Sequence, residues 1–133
     1  MQITRRADYA IRGMVHLAGK PQDQVSLLSD IAAEIGVSQP FMAKIFQQFN
    51  KIGLVRSYRG IGGGFTLGRQ PGEITLLEIV EAVEGPIVLN RCVLAEGICS
   101  RDSTCTVHPV WKEVQDQMKA ILQSVTLDHL AGR

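Results

Sequence analysis

Apolar side chains recur along the chain at two periods, and the changes of period predict the order of its elements. Ala7, Ala10, Ile11, Met14, Leu17 and Ala18 fall at helical three- and four-residue spacing, which lines one face of a helix. Thr4 stands ahead of them as a hydroxyl cap, and Gly19-Lys20-Pro21 closes the run. A second short helix is expected from Ser26 to Ile35, with a serine at its start and Gly36 as its stop. A third begins at once, capped by Ser38 and tolerating Pro40 in its first turn, and runs to about Gly53. Two short helices joined by Gly36-Val37 predict a helix-turn-helix. The period then drops to two. Leu54-Val55-Arg56-Ser57-Tyr58-Arg59 alternates, a glycine-rich turn follows, and Phe65-Thr66-Leu67 returns, so a hairpin is expected.

Further on, Thr75-Leu76-Leu77-Glu78 spells a capping box that opens a helix through Val83, with Gly85-Pro86 as its terminator. After an irregular stretch, Pro109 can start a last helix. Val107, Trp111, Val114, Met118, Ile121 and Val125 then alternate in steps of four and three, a heptad stripe. About nineteen helical residues would span about 28 Å, and such a stripe on an arm beyond a finished domain calls for a second copy of the chain. The expected architecture is mainly α with a small β-hairpin wing: a winged helix-turn-helix with its buttressing helix over residues 1–85, a loop over 86–108, and a dimerisation helix with tail over 109–133.

In the third helix Met42, Ile45, Phe46 and Phe49 share one face, while Gln39, Pro40, Ala43, Lys44 and Gln47 share the other. Lys and Gln on an exposed helix are ordinarily just solvated. Here they follow a helix-turn-helix pattern and precede a hairpin with Arg59 at its tip, which favours a recognition helix in a major groove and an arginine in a minor groove of double-stranded DNA. The glycines of the turn do not form a nucleotide-binding loop. Phe65 stands where a dinucleotide fingerprint needs its final glycine, and the Lys-Ser/Thr of a P-loop is missing.

Composition agrees with an ordinary globular chain, 45% hydrophobic and 20% charged over 133 residues. Arg12 and His16 interrupt the apolar N-terminal stretch, so no membrane span or signal segment is expected and the chain is read as cytosolic. The net charge of +1 conceals an asymmetry. Residues 1–71 hold nine Lys and Arg against four Asp and Glu, a balance of +5, whereas residues 72–133 hold five against nine, or −4. A basic first half suits contact with phosphates.

The second half carries its own chemistry. Three cysteines in a reducing compartment point away from disulfides and toward a metal or redox role. Six residues separate Cys92 from Cys99, five separate Cys99 from Cys105, and two separate Cys105 from His108. These gaps exceed the short knuckles of structural zinc sites and let a loop wrap a larger object. Thiolates are soft ligands suited to iron in clusters, and a histidine among them raises the reduction potential. A thiol or zinc sensor uses the same residues. An iron-sulfur electron carrier or enzyme is disfavoured, because no nucleophile–base constellation accompanies the cysteines.

These segments together resemble the Rrf2 family of bacterial regulators, and within it the IscR-like branch, over almost the whole chain. The resemblance is carried by Ile3-Thr4-Arg5-Arg6-Ala7-Asp8-Tyr9-Ala10, by Leu54-Val55 with Arg59-Gly60-Ile61-Gly62-Gly63-Gly64-Phe65-Thr66-Leu67, by Glu78-Ile79-Val80-Glu81-Ala82-Val83-Glu84-Gly85, and by Cys105-Thr106-Val107-His108-Pro109-Val110-Trp111. It implies a homodimeric, DNA-binding transcriptional regulator in which Cys92, Cys99 and Cys105 hold a cluster, with His108 completing a 2Fe-2S site. In nitric-oxide-sensing relatives an acidic residue of the first helix can complete a 4Fe-4S site, and Asp8 is available for that role here. The first cysteine gap is longer here than is usual in these branches, and Ala43 replaces a longer polar residue of many relatives. Between the two fourth ligands, locality and ligand softness favour His108, since it lies beside Cys105 and a carboxylate is the harder donor.

Overall fold

The computed structural model describes residues 2–95 and 97–132. Helix α1 (Arg5–Ala18) opens on Thr4, whose Oγ1 accepts the Ala7 N–H at 3.2 Å. Helix α2 (Leu28–Ile35) starts later than its serine predicts. Ser26 does not cap it. Its backbone is committed elsewhere: the Ser26 N–H donates to the Phe65 carbonyl and the Phe65 N–H to the Ser26 carbonyl, both at 2.9 Å, and its hydroxyl is buried without a partner. The bridge is tight enough to dictate the next residue of the wing, because a Cβ on Gly64 would lie 2.1 Å from the Ser26 carbonyl oxygen.

Gly36, at φ +82°, adopts the left-handed conformation that ends α2 and turns the chain into α3 (Gln39–Lys51). Ser38 Oγ accepts the Phe41 N–H at 3.3 Å, and Pro40 occupies the first turn. Strands β1 (Val55–Tyr58) and β2 (Gly64–Leu67) form an antiparallel hairpin in the register Val55 to Leu67 and Tyr58 to Gly64. The capping box forms as expected at α4 (Leu76–Glu84): Glu78 N–H donates to Thr75 Oγ1 at 3.1 Å, and Thr75 N–H to Glu78 Oε2 at 3.0 Å.

One core unites these elements. Met14, Ile31, Met42, Ile45, Phe46, Phe49, Leu54, Ile74 and Ile79 are sealed from solvent. Burying side chains of this size stabilises by about 1.5–3 kcal/mol each. Where α1 crosses α3 the helices come so close that a Cβ on Gly13 would sit 3.0 Å from the Phe46 ring.

The second half is dominated by one long helix, α5 (His108–Ser124), packed on α4 and on the 3₁₀ turn Arg91–Val93. It is slightly shorter than the heptad stripe, whose end members Val107 and Val125 flank it as caps. The stripe is also divided: Trp111 and Met118, with their neighbour Leu122, are half-buried against their own chain, whereas Val107, Val114 and Ile121, with their neighbour Val110, stand exposed. The residues after α5 are not a loose tail. Leu76 N–H donates to the Val125 carbonyl and Leu127 N–H to the Ile74 carbonyl, both at 2.8 Å, so residues 125–127 lie as a strap along 74–76. Leu127, opening the short helix α6 (Leu127–Leu130), is fully buried in the core of the first half.

Candidate metal centre and nucleic-acid interface

Past Gly85 the chain runs from buried Ile87 into a stretch of irregular backbone. Cys92 sits in the 3₁₀ turn Arg91–Val93, while Cys99 and Cys105 bracket a compact turn. In that turn Asp102 N–H donates to the Cys99 carbonyl at 3.2 Å and Cys105 N–H to the Arg101 carbonyl at 2.7 Å. Gly97 N–H donates to Asp102 Oδ2 at 2.9 Å, fastening the far side of the loop to the same turn. All three cysteines are free thiols and half-buried.

Together with His108 at the head of α5, these thiols line a single cavity of about 500 Å³ that Asp102, Ile98 and Trp111 also border. Among the described residues, no three His, Cys, Asp or Glu side chains converge tightly enough to grip one ion. The cavity is more than ten times the roughly 30 Å³ share of one water. Three soft sulfurs and an imidazole spread around such a space fit a polynuclear iron-sulfur group as a donor set. Two further atoms are left wanting a partner: His108 Nδ1 and Asp102 Oδ1 are buried, unbonded and 4.0 Å apart. Buried polar atoms in this state are uncommon and mark a place where something else completes the contacts. Asp8, by contrast, is exposed on α1, is paired with Arg12 at 3.0 Å, and does not border this cavity.

The opposite half carries the candidate nucleic-acid surface. Met42, Ile45, Phe46 and Phe49 are fully buried, which turns Gln39, Pro40, Lys44 and Gln47 to solvent on α3, with Ala43 half-buried between them. Arg59 is exposed at the wing turn. Two neighbours escaped the sequence reading. Arg56 is exposed on β1, where the alternation of that strand already placed it outward, and Ile61 is wholly exposed at the hairpin tip. A third, Arg6 of α1, donates to Gln48 Oε1 of α3 at 2.5 Å and ties the two helices together; no sequence pattern signals that contact.

A family model described as Rrf2, iron-dependent transcriptional regulator, matches residues 3–133. The chain belongs to the Rrf2 family. Within that family it is 33% identical over 132 residues to the HTH-type transcriptional regulator IscR of Photorhabdus laumondii, covering 99% of this chain and 80% of that one. The IscR of Xenorhabdus nematophila is also 33% identical, over 130 residues. Among solved Rrf2-like structures, CymR, the global cysteine regulator of B. subtilis, superposes with a TM-score of 0.81 at 30% identity, covering 99% of this chain and 97% of that one. T. potens IscR gives a TM-score of 0.77 at 26% identity, with 99% and 88% covered. The chain is therefore a DNA-binding transcriptional regulator of the IscR type and not an enzyme. One fold thus serves regulators with different names, so the signal must be argued from the cavity. Among the described residues, no helix is long and apolar enough to cross a membrane.

Proposed function

We propose that this regulator acts in the cytoplasm as a homodimer on double-stranded operator DNA, and that a 2Fe-2S cluster held by Cys92, Cys99, Cys105 and His108 sets its affinity for that DNA. The observation that carries the reading is the placement of all four donors on one cavity. When bound, the cluster supplies a redox-active group that iron supply and oxidants can form or remove. The protein does the rest. Cys92, Cys99 and Cys105 bind as thiolates, and His108 binds through a nitrogen that carries no proton. Asp102 Oδ1 stands 4.0 Å from His108 Nδ1, placed to orient the ring once the cluster is bound, as carboxylates do behind metal-bound histidines. Gln39, Pro40, Ala43, Lys44 and Gln47 meet the major groove while Arg59 enters the adjoining minor groove, and two-fold symmetry calls for a palindromic site. Val110, Val114 and Ile121, bare on α5, form the seam between subunits. Control of iron-sulfur or iron homeostasis genes, by repression or activation, follows from such a sensor.

Anaerobic reconstitution with ferrous iron and sulfide tests the reading. Each of Cys92→Ala, Cys99→Ala and Cys105→Ala is expected to abolish cluster uptake, and His108→Ala to keep a cluster with an altered visible spectrum. A chain that takes up zinc and no sulfide would overturn the assignment. A 4Fe-4S spectrum that survives His108→Ala and collapses in Asp8→Ala would transfer the fourth ligand to α1 and point to nitric oxide as the signal.

A further inference from the structure

Among the described residues of α5, Gln115 alone is buried, with 6% of its surface exposed. Its two amide atoms are both engaged. Oε1 accepts the Leu89 N–H at 2.8 Å, and Nε2 donates to the Val93 carbonyl at 3.3 Å. Leu89 and Val93 flank Cys92, and between them the turn closes on itself through Val93 N–H to the Asn90 carbonyl at 3.1 Å. A single side chain therefore holds both ends of the segment that carries the first cysteine. The task needs a donor and an acceptor on one planar group, which a glutamine has and a carboxylate or an aliphatic chain lacks.

The position of Gln115 on the helix extends the consequence. It lies two turns from His108 and one turn from Trp111 on the same face, and both of those residues border the cavity. Its neighbour Val114 belongs to the exposed edge of α5. Cys92 and His108 are thus referenced to the same rigid helix, one through the glutamine amide and the other directly. We infer that Gln115 is a positioning residue: it sets the distance of Cys92 from His108 and ties occupancy of the cavity to the helix that carries the subunit seam. The inference rests on the cluster reading above.

The test uses the full chain loaded anaerobically with ferrous iron and sulfide, as wild type, Gln115→Met and Gln115→Glu. The methionine keeps the length and removes both bonds, while the glutamate keeps an acceptor for Leu89 and sets an oxygen against the Val93 carbonyl. In each variant the loaded cluster is expected to be lost to excess EDTA about 10- to 100-fold faster than in wild type, with shifted visible circular-dichroism bands. The apo forms are expected to melt cooperatively near the wild-type temperature. Unchanged lifetime and bands in either folded variant would overturn the role of Gln115. So would failure of both apo variants to fold, because the residue would then be holding the domain and not the cysteine. A wild-type chain that acquires no iron and sulfide would instead refute the cluster reading on which the inference stands.

Discussion

The winged half and the cysteine loop are built by opposite means. Around Phe46 and Phe49 the chain is held by apolar side chains with no exposure, drawn from α1, α2, α3, the wing and α4. Between Ile87 and α5, no described side chain is buried. That stretch is kept in place by polar anchors: the Gln115 amide, the Asp102 carboxylate on Gly97 N–H, and the short turn from Arg101 to Cys105. Regions with few buried contacts open locally at low cost, whereas a packed core opens only with the whole domain. A regulator gains from the division. The half that would present a fixed shape to DNA is held by burial, and the half that would respond is held by a few polar anchors.

The strongest challenge to this division is to attack α5 alone. Val114→Glu together with Ile121→Glu is expected to convert the proposed dimer to monomers in sedimentation, while the winged half keeps its cooperative melt; persistence of the dimer would place the seam elsewhere. Next, Phe46→Ala should lower folding stability by about 3–5 kcal/mol in urea titration, since it empties the centre of the core. The apo Cys99→Ala protein should hold the wild-type midpoint under the same conditions, and an equal shift in both would show that the two regions unfold as one. Arg59→Ala should weaken operator binding by about 1–3 kcal/mol without moving the melt, and an affinity unchanged across a salt series would reduce it to a solvated turn residue. The smallest effect is expected at the capping box. Thr75→Ala should cost about 1 kcal/mol of stability, read from the same titration.

The helix-turn-helix could be read from the sequence because its determinants are local. Ser38, Pro40 and Gly36 act within one turn of their own positions, and the stripe of Met42, Ile45, Phe46 and Phe49 needs only helical periodicity to declare itself. Thr75 and Glu78 likewise satisfy each other within four residues. What the sequence concealed was long-range. Ser26 looks like a cap and is a strand partner of Phe65, because the wing, distant in sequence, claims its backbone first. Trp111 and Met118 belong to the heptad stripe and yet are covered by their own chain, which only the packing of α5 on α4 decides. The four candidate ligands were recognisable by residue type and spacing, but Gln115 was not. A glutamine on an amphipathic helix reads as a surface residue until the backbone groups it satisfies are seen.

The strap of residues 125–127 fastens the C-terminal end of α5 to the winged domain, while the other end borders the cysteine cavity. Leu127 is moored in the core, where α6 packs on α1, so the C-terminal end of the helix is tied to the winged domain. The opposite end begins at His108, among groups with little to hold them. The helix is therefore a beam of about 25 Å that rests on α4 and joins the cavity to the winged domain. In the proposed two-fold dimer joined along two such beams, a shift at the cavity ends is expected to reach the two winged domains. The quantity to follow is the separation of the two proposed recognition helices, which a palindromic site would read as the spacing of its half-sites.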